Sequence, residues 1–478
     1  MSGRASRGAL WIAAATWLQR GVSVVVLLVL ARFLEPRELG VLSLATLLSF
    51  LFLSVSELGF LNALVYQRKR VKEAAEVTLA VTLMATTACC VLLLVAAPYV
   101  ASFFDTPDAD TVLRYYALML PFSAIAQVAE AELTRRLAFS RRFMASLPSA
   151  LGGGITVVLA VQGYGLWSLV IGDAVREVLR CLIAYVVLPE RFGPRWHPDV
   201  FREMWTYARG SFAATWLDNA LQNVDYLLVG KLLGPTALGL YTLAFRVAIL
   251  PFVVVTQVVV GVMFPALVQV SDDRQRMNDG FEVSFRLGCA AVVLLAGGVA
   301  ALAPHFLILG QEWQAAEMTA RLLGVYVCFR SAAFMATPVV QALGRPGTVA
   351  ALRGMWTVLL VISLLSFGRQ GIAAVALAQV VVAAAMFFAH TVLVARVGGT
   401  PALRLVLGLA RPGLAAGLAA LVLEGLRRLG GVWTDYDAVW CFVLSGSVYT
   451  LAFGVFVLLI SPRLMGDLQR VKGALTGG

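Results

Sequence analysis

Runs of mostly apolar residues recur along the whole chain, separated by short polar turns. Each run is long enough to cross a hydrocarbon core of about 30 Å as a helix rising about 1.5 Å per residue. A transmembrane β-barrel would instead alternate apolar and polar positions over strands of about 10 residues, and these runs do not. Fourteen spans are predicted, at 8–33, 41–64, 77–103, 111–133, 144–162, 165–188, 206–230, 237–267, 281–303, 318–342, 350–367, 371–395, 405–426 and 437–460. The fold class is therefore an all-α polytopic membrane protein. Loops are short everywhere; the longest exported candidates are Phe104–Asp110, Pro304–Glu317 and Arg427–Asp437. None reaches the roughly 50 residues that an independent catalytic domain needs.

The pattern repeats. Ala14–Ala45 and Ala213–Ala244 align without a gap, with 13 of 32 positions identical. Ala14-Ala15-Thr16-Trp17-Leu18 matches Ala213-Ala214-Thr215-Trp216-Leu217, and Pro36, Leu39 and Gly40 match Pro235, Leu238 and Gly239. A weaker echo pairs Gly165-Leu166-Trp167 with Gly371-Ile372-Ala373. Six spans per copy is an even number, so both copies start on the same side and the repeat is parallel. The expected organisation is a first lobe (1–188), a Pro-rich basic linker (189–205), a second lobe (206–395) and two additional C-terminal helices with a tail (396–478). These last helices fall outside the duplication and read as an appendage. A duplicated bundle is the usual architecture of an alternating-access transporter, with its site between the halves.

Composition agrees: 60% of residues are hydrophobic, 14% are charged, and mean hydropathy is +0.85. The net charge of +11 does not point to nucleic acid, because its placement follows topology. With the N-terminus inside, the cytoplasmic segments carry 21 Lys and Arg and the opposite face 6. That asymmetry predicts both termini in the cytoplasm. The six cysteines all fall within predicted spans, so no disulfide framework is implied. His197, His305 and His390 stand apart and suggest neither catalysis nor a metal site. No Walker A sequence is present, and no cofactor is expected. The first apolar stretch continues past Gln19 and Arg20 to Leu34, too long for a cleaved signal peptide.

Candidate chemistry lies where charge enters the spans. A charged side chain at mid-bilayer costs at least about 2.5–3.5 kcal/mol, so it faces protein or a wet cavity. Arg20, beside Gln19, falls near the middle of the first span, Arg246 inside the eighth and Arg330 near the middle of the tenth. Arg114, Arg209, Arg286 and Arg321 lie nearer span ends, where snorkelling accounts for them. The seventh span carries Asp218, Asn219, Gln222, Asn223 and Asp225 at spacings that share one helical side. By the repeat, Asp218 and Asn219 take the positions of Gln19 and Arg20. Either these groups line a cavity or they form a hydrogen-bonded seam; Asp218 or Asp225 is also a candidate for a coupling cation. Asp173, Arg176, Glu177 and Arg180 have the spacing of a self-neutralising ladder. Glu57, Arg114, Gln127 and Glu130 are candidates for gating or coupling. The Arg68-Lys69-Arg70, Arg135-Arg136 and Arg141-Arg142 clusters suit attraction to anionic lipid at the cytoplasmic surface.

Several segments are similar to a known family. LARFLEPRELGVLSLATLLSFLFLSVSELGFLNALVYQ resembles the opening helices of bacterial polysaccharide flippases (Wzx-type), within the multidrug/oligosaccharidyl-lipid/polysaccharide exporter superfamily. LTRRLAFSRRF (Leu133–Phe143), GYGLWSL (Gly163–Leu169), VDYLLVGKLLGPTALGLY (Val224–Tyr241), MFPAL, GQEW and QALGRP extend the resemblance over roughly 8–395. It implies two six-helix lobes around a central cavity, in the bacterial inner membrane. It also implies transfer of an undecaprenyl-pyrophosphate-linked oligosaccharide between leaflets, beside polysaccharide polymerase and glycosyltransferases as partners. On that reading Arg20, Arg246 and Arg330 hold the phosphates, with Gln19, Asp218, Asn219, Asn223 and Asp225 lining the same cavity. The coupling ion, H+ or Na+, stays open. A multidrug exporter of the same fold would favour an acidic aromatic cavity, and a polymerase or ligase would need a large exported loop.

Overall fold

The computed structural model describes residues 18–19, 21–23, 25–67, 69–429, 438–461 and 463–467. These residues are helical with short connections, and no strand occurs among them. The chain divides by its packing into two compact units, Met1–Thr242 and Leu243–Gly478.

In the first unit, the helix Gly21–Leu30 is followed by α1 (Pro36–Ser56), α2 (Phe60–Tyr66), α3 (Val71–Phe103), α4 (Asp108–Arg135), α5 (Phe139–Ser146), α6 (Pro148–Val161), α7 (Leu166–Val186) and α8 (Pro198–Gln222). α9 (Val224–Ala248) then begins. Local chemistry sets the boundaries. α1 opens with Pro36 in its first turn, where the missing N–H costs nothing, and with a capping box between Glu35 and Glu38. Gly234, at φ 82°, breaks α9 into two helical segments. Asp225 and Tyr241 show that the break is a reversal: 16 residues apart, they would be about 24 Å apart on a straight helix, yet they hydrogen bond at 2.6 Å. The seventh and eighth predicted spans are thus the arms of a helical hairpin, and Pro235 starts the second arm as Pro36 starts α1.

The second unit contains the rest of α9, a π-helical turn (Phe252–Thr256), α10 (Gln257–Gln269), α11 (Arg274–Leu302), α12 (Glu317–Met335), α13 (Thr337–Ala342), α14 (Pro346–Phe367), α15 (Ile372–Gly398), α16 (Ala402–Leu429) and α17 (Ala438–Ile460). Two short 3-10 turns, Ala303–Leu309 and Gln311–Ala316, join α11 to α12. Among the described residues, eleven helical stretches are long and apolar enough to span a membrane. Gly21–Leu30 is a shorter apolar helix. α7 and α8, of 21 and 25 residues, have the length but are too polar. The eleven match eleven of the fourteen predicted spans; the sixth and seventh fall on the more polar α7 and α8, and the described part of the first is the shorter helix Gly21–Leu30.

The C-terminal helices are not a loose appendage. α16 and α17 pack on α11, where the Tyr449 ring covers Gly297 and Gly298. Arg286 of α11 binds the buried Asp467 at 2.8 Å and Glu282 at 3.3 Å. The sequence offered no hint of this, because Arg286 and Asp467 are 181 residues apart.

Candidate functional site: an arginine–aromatic stack in the second unit

Each of the two units holds some span arginines against carboxylates and, among the described residues, leaves others without them. In the first, every arginine of α7 is neutralised. Arg180 binds Glu130 of α4 at 2.7 Å and Glu177 at 3.2 Å, and Arg176 binds Asp173 at 2.7 Å and Glu177 at 3.2 Å. Ser123 donates to Glu177 and Tyr116 to Asp173, both from α4. The predicted ladder is therefore present and also clamps α7 to α4, using Glu130 as its outside member. Gln127 is half-buried on the same helix, and Glu57 is half-buried at the C-terminal cap of α1. Arg114 is exposed and pairs with Asp110 at 3.0 Å.

The seventh-span stripe lies at the end of α8 and the start of α9. Asn223 donates to the Asn219 carbonyl at 2.7 Å, and both side chains are half-buried. Asp225 is buried against the Tyr241 hydroxyl. Gln19 is half-buried. Arg20 and the Asp218 side chain lie outside the described residues.

In the second unit, four arginines inside predicted spans have no carboxylate partner among the described residues: Arg246, Arg330, Arg353 and Arg411. Arg330 donates to the Tyr326 hydroxyl at 2.6 Å, and its guanidinium lies 4.8 Å from the Phe252 ring centre. Phe252 meets Phe334 edge to face at 5.3 Å. The Arg353 guanidinium lies 5.2 Å from the Phe334 ring. Phe245 and Tyr326 extend the series at 6.3 Å. The series runs Arg353, Phe334, Phe252, Arg330, Tyr326 and Phe245, two cations separated by a pair of rings, drawn from α9, the π-helical turn, α12 and α14. Each ring face attracts a guanidinium through its quadrupole but does not neutralise it. Arg246, on α9 one residue from Phe245, is exposed; Arg353 is exposed and Arg330 half-buried.

The backbone explains how Phe252 takes its place. Pro251 has no N–H to give to the helical ladder, and the next turn is π-helical, closing with the Gln257 N–H on the Phe252 carbonyl. Such an extra residue rotates the side chains that follow. Arg353 was the functional candidate that sequence reasoning passed over; its place four residues inside the eleventh predicted span was the available signal. Arg321 and Arg286, which the sequence suggested would snorkel, are paired with Glu317 at 2.8 Å and with Asp467 at 2.8 Å.

Several members of the basic clusters make contacts within the protein. Arg135 and Arg136 both bind Glu132, which is buried, at 2.7 and 2.6 Å. Arg136 also holds the Glu190 carboxyl below the usual carboxylate range. Arg141 donates to the Val187 carbonyl and Arg142 to Thr134. Among the described residues no group of His, Cys, Asp and Glu has the arrangement of a metal site.

The chain is 27% identical over 466 residues to the succinoglycan biosynthesis transport protein ExoT of Rhizobium meliloti (strain 1021), covering 94% of this chain and 91% of that one. It is 23% identical over 336 residues to the lipopolysaccharide biosynthesis protein WzxC of Escherichia coli (strain K12), covering 68% and 67%. In fold it is similar to the lipid II flippase MurJ in an inward closed conformation, with TM-score 0.75 and 12% identity over 96% of this chain and all of that one. An inward-facing multidrug resistance MATE transporter gives TM-score 0.62 and 14% identity over 82% and 99%. The family model described as "Polysaccharide biosynthesis protein" matches residues 29–318, more than half of the sequence, and the chain belongs to that family.

Proposed function

We propose that this protein is a flippase that carries an undecaprenyl-pyrophosphate-linked oligosaccharide from the cytoplasmic to the outer leaflet of the bacterial inner membrane. The observation that carries the reading is the arginine–aromatic stack. A pyrophosphate brings about two negative charges, and guanidinium offers a planar donor fork suited to phosphate oxygens. Arg330 and Arg353 are prepositioned for it because no carboxylate competes for them. The ring faces between them suit the apolar faces of sugars. A cationic drug would meet repulsion in the same place. Arg20, Arg246, Asn219 and Asn223 belong to the same proposed cavity, between lobes 1–188 and 206–395 that move about the 189–205 linker. No covalent bond is made or broken on this reading. Both termini face the cytoplasm, as the excess of Lys and Arg on that side indicates. The succinoglycan and lipopolysaccharide roles in the relatives' names support a surface-polysaccharide cargo, delivered by glycosyltransferases and received by a polymerase.

Arg330→Ala and Arg353→Ala test the reading. Each removes a charge-assisted contact of about 1.5–3 kcal/mol, so binding of the lipid pyrophosphate should weaken about ten- to hundredfold. Export measured in cells should fall while the amount of inserted protein holds. Normal export by the double variant would overturn the assignment.

A further inference from the structure

The two copies of the repeated Pro-x-x-Leu-Gly motif touch each other. A methyl group built on Gly40 would overlap the backbone carbonyl of Pro235, and one built on Gly239 would overlap the carbonyl of Pro36. The contact is reciprocal: each glycine receives the first residue of the other copy's motif, as expected at a local two-fold axis. Both copies lie in the first unit, one at the start of α1 and the other at the start of the second arm of α9. Glycine and proline supply no side-chain hydrogen bond there, so the joint rests on close backbone packing alone.

Its surroundings are unequal. The first copy is pinned to its neighbours: Arg37 binds Asp108 of α4 at 3.1 Å, and Glu38 accepts from the Leu166 N–H at the start of α7 at 3.2 Å. At the matching positions the second copy has Thr236 and Ala237, which cannot make those bonds. The second copy's nearby attachment is an exposed rim in which Lys231 donates to the Phe103 carbonyl and lies 3.8 Å from Asp105. Both copies are therefore tied to neighbouring helices by exposed cations, the first also by the part-buried Glu38–Leu166 bond, and the glycine crossing lies between them.

We propose that the Gly40–Gly239 crossing is the outer latch of the transport cycle, closed in this structure and parted when the carrier opens outward. This rests on the two-lobe flippase reading above, because the motif copies open their respective lobes and the charge asymmetry puts both on the outer side. Backbone packing without polar bonds suits a joint that must separate and re-form, because little has to be rehydrated at each opening. The anchors on the first copy keep it in register while the second departs.

Two measurements test the latch. Gly40→Ala and Gly239→Ala each force the backbones apart. Labelling of an Asn223→Cys reporter by a membrane-impermeant maleimide added outside should rise roughly tenfold in either background, with export lost. Separately, Asp105→Cys and Lys231→Cys joined by a short reducible bifunctional thiol reagent should hold the rim shut. Transport should stop on linking and return on reduction; this arm needs no glycine variant to fold. Unchanged labelling in properly inserted glycine variants, or undiminished transport in the linked protein, would overturn the latch. Enhanced labelling in the glycine variants, together with a parent protein (both glycines intact) that moves no lipid-linked oligosaccharide, would uphold the latch and sink the proposed cargo instead.

Discussion

Tyr241 shows how one side chain governs a polar group deep in a membrane protein. Asp225 is 3% exposed and accepts the Tyr241 hydroxyl at 2.6 Å across the Gly234 reversal. Tyr241→Phe removes that donor, at a cost of about 1–3 kcal/mol. A lower thermal midpoint in detergent checks the expectation; an unchanged midpoint would show that Asp225 is satisfied by other groups. Arg330 invites a complementary substitution. Arg330→Lys keeps the charge but replaces a planar fork with a compact ammonium that reaches a ring and a phosphate less well together. Export by Arg330→Lys should fall between the wild type and Arg330→Ala. Equality with the wild type would mean that charge alone suffices there. The seventh-span stripe was legible as polar from the sequence, but which of its members is tied down was not. Asp225 and Asn223 differ in partners although they are neighbours.

Among the elements, α4 and α7 form the pair whose union depends most on charge. Arg180 joins Glu130 of one helix to Glu177 of the other, and all three side chains are mostly shielded from solvent. Removing the cation takes the ion-pair partner from Glu130, while Glu177 keeps Arg176 and Ser123, so Arg180→Ala should cost about 3 kcal/mol. Replacing the pair together, as Arg180→Met with Glu130→Leu, should restore much of that loss, since desolvation of both charges is then avoided. Thermal unfolding of the single and double variants gives the comparison; equal losses would mean that Glu130 contributes nothing to the helix contact. The i, i+3, i+4, i+7 spacing on α7 disclosed the ladder. The participation of Glu130 stayed hidden because it depends on which helix packs beside α7, and helical periodicity does not name the neighbour.

At the scale of the molecule, the C-terminal helices are the clearest departure from the linear reading. Lying outside the duplication, 396–478 looked expendable. α16 and α17 instead complete the packing of the second unit, and Asp467 neutralises Arg286. Truncation after residue 400 uncovers α11 and leaves Arg286 without Asp467. The truncated protein should be lost to degradation or unfold at clearly lower temperature, measured by its steady-state amount in membranes. A stable, active truncation would mean that α11 tolerates lipid on that face.

The sequence by itself determined the helical membrane class, the span pattern, the internal duplication and the presence of arginines within the spans. These depend on local hydropathy and on identity between segments, both of which are properties of the chain read in order. Only the tertiary structure decided which charges cancel. It set Arg176 and Arg180 against carboxylates and left Arg330 and Arg353 among rings and, among the described residues, without acids. It also turned a repeated motif into a contact of the motif with itself. Pairing across tens to hundreds of residues is fixed by packing, where a difference of a few ångströms separates a neutralised ion from one that remains available to a phosphate.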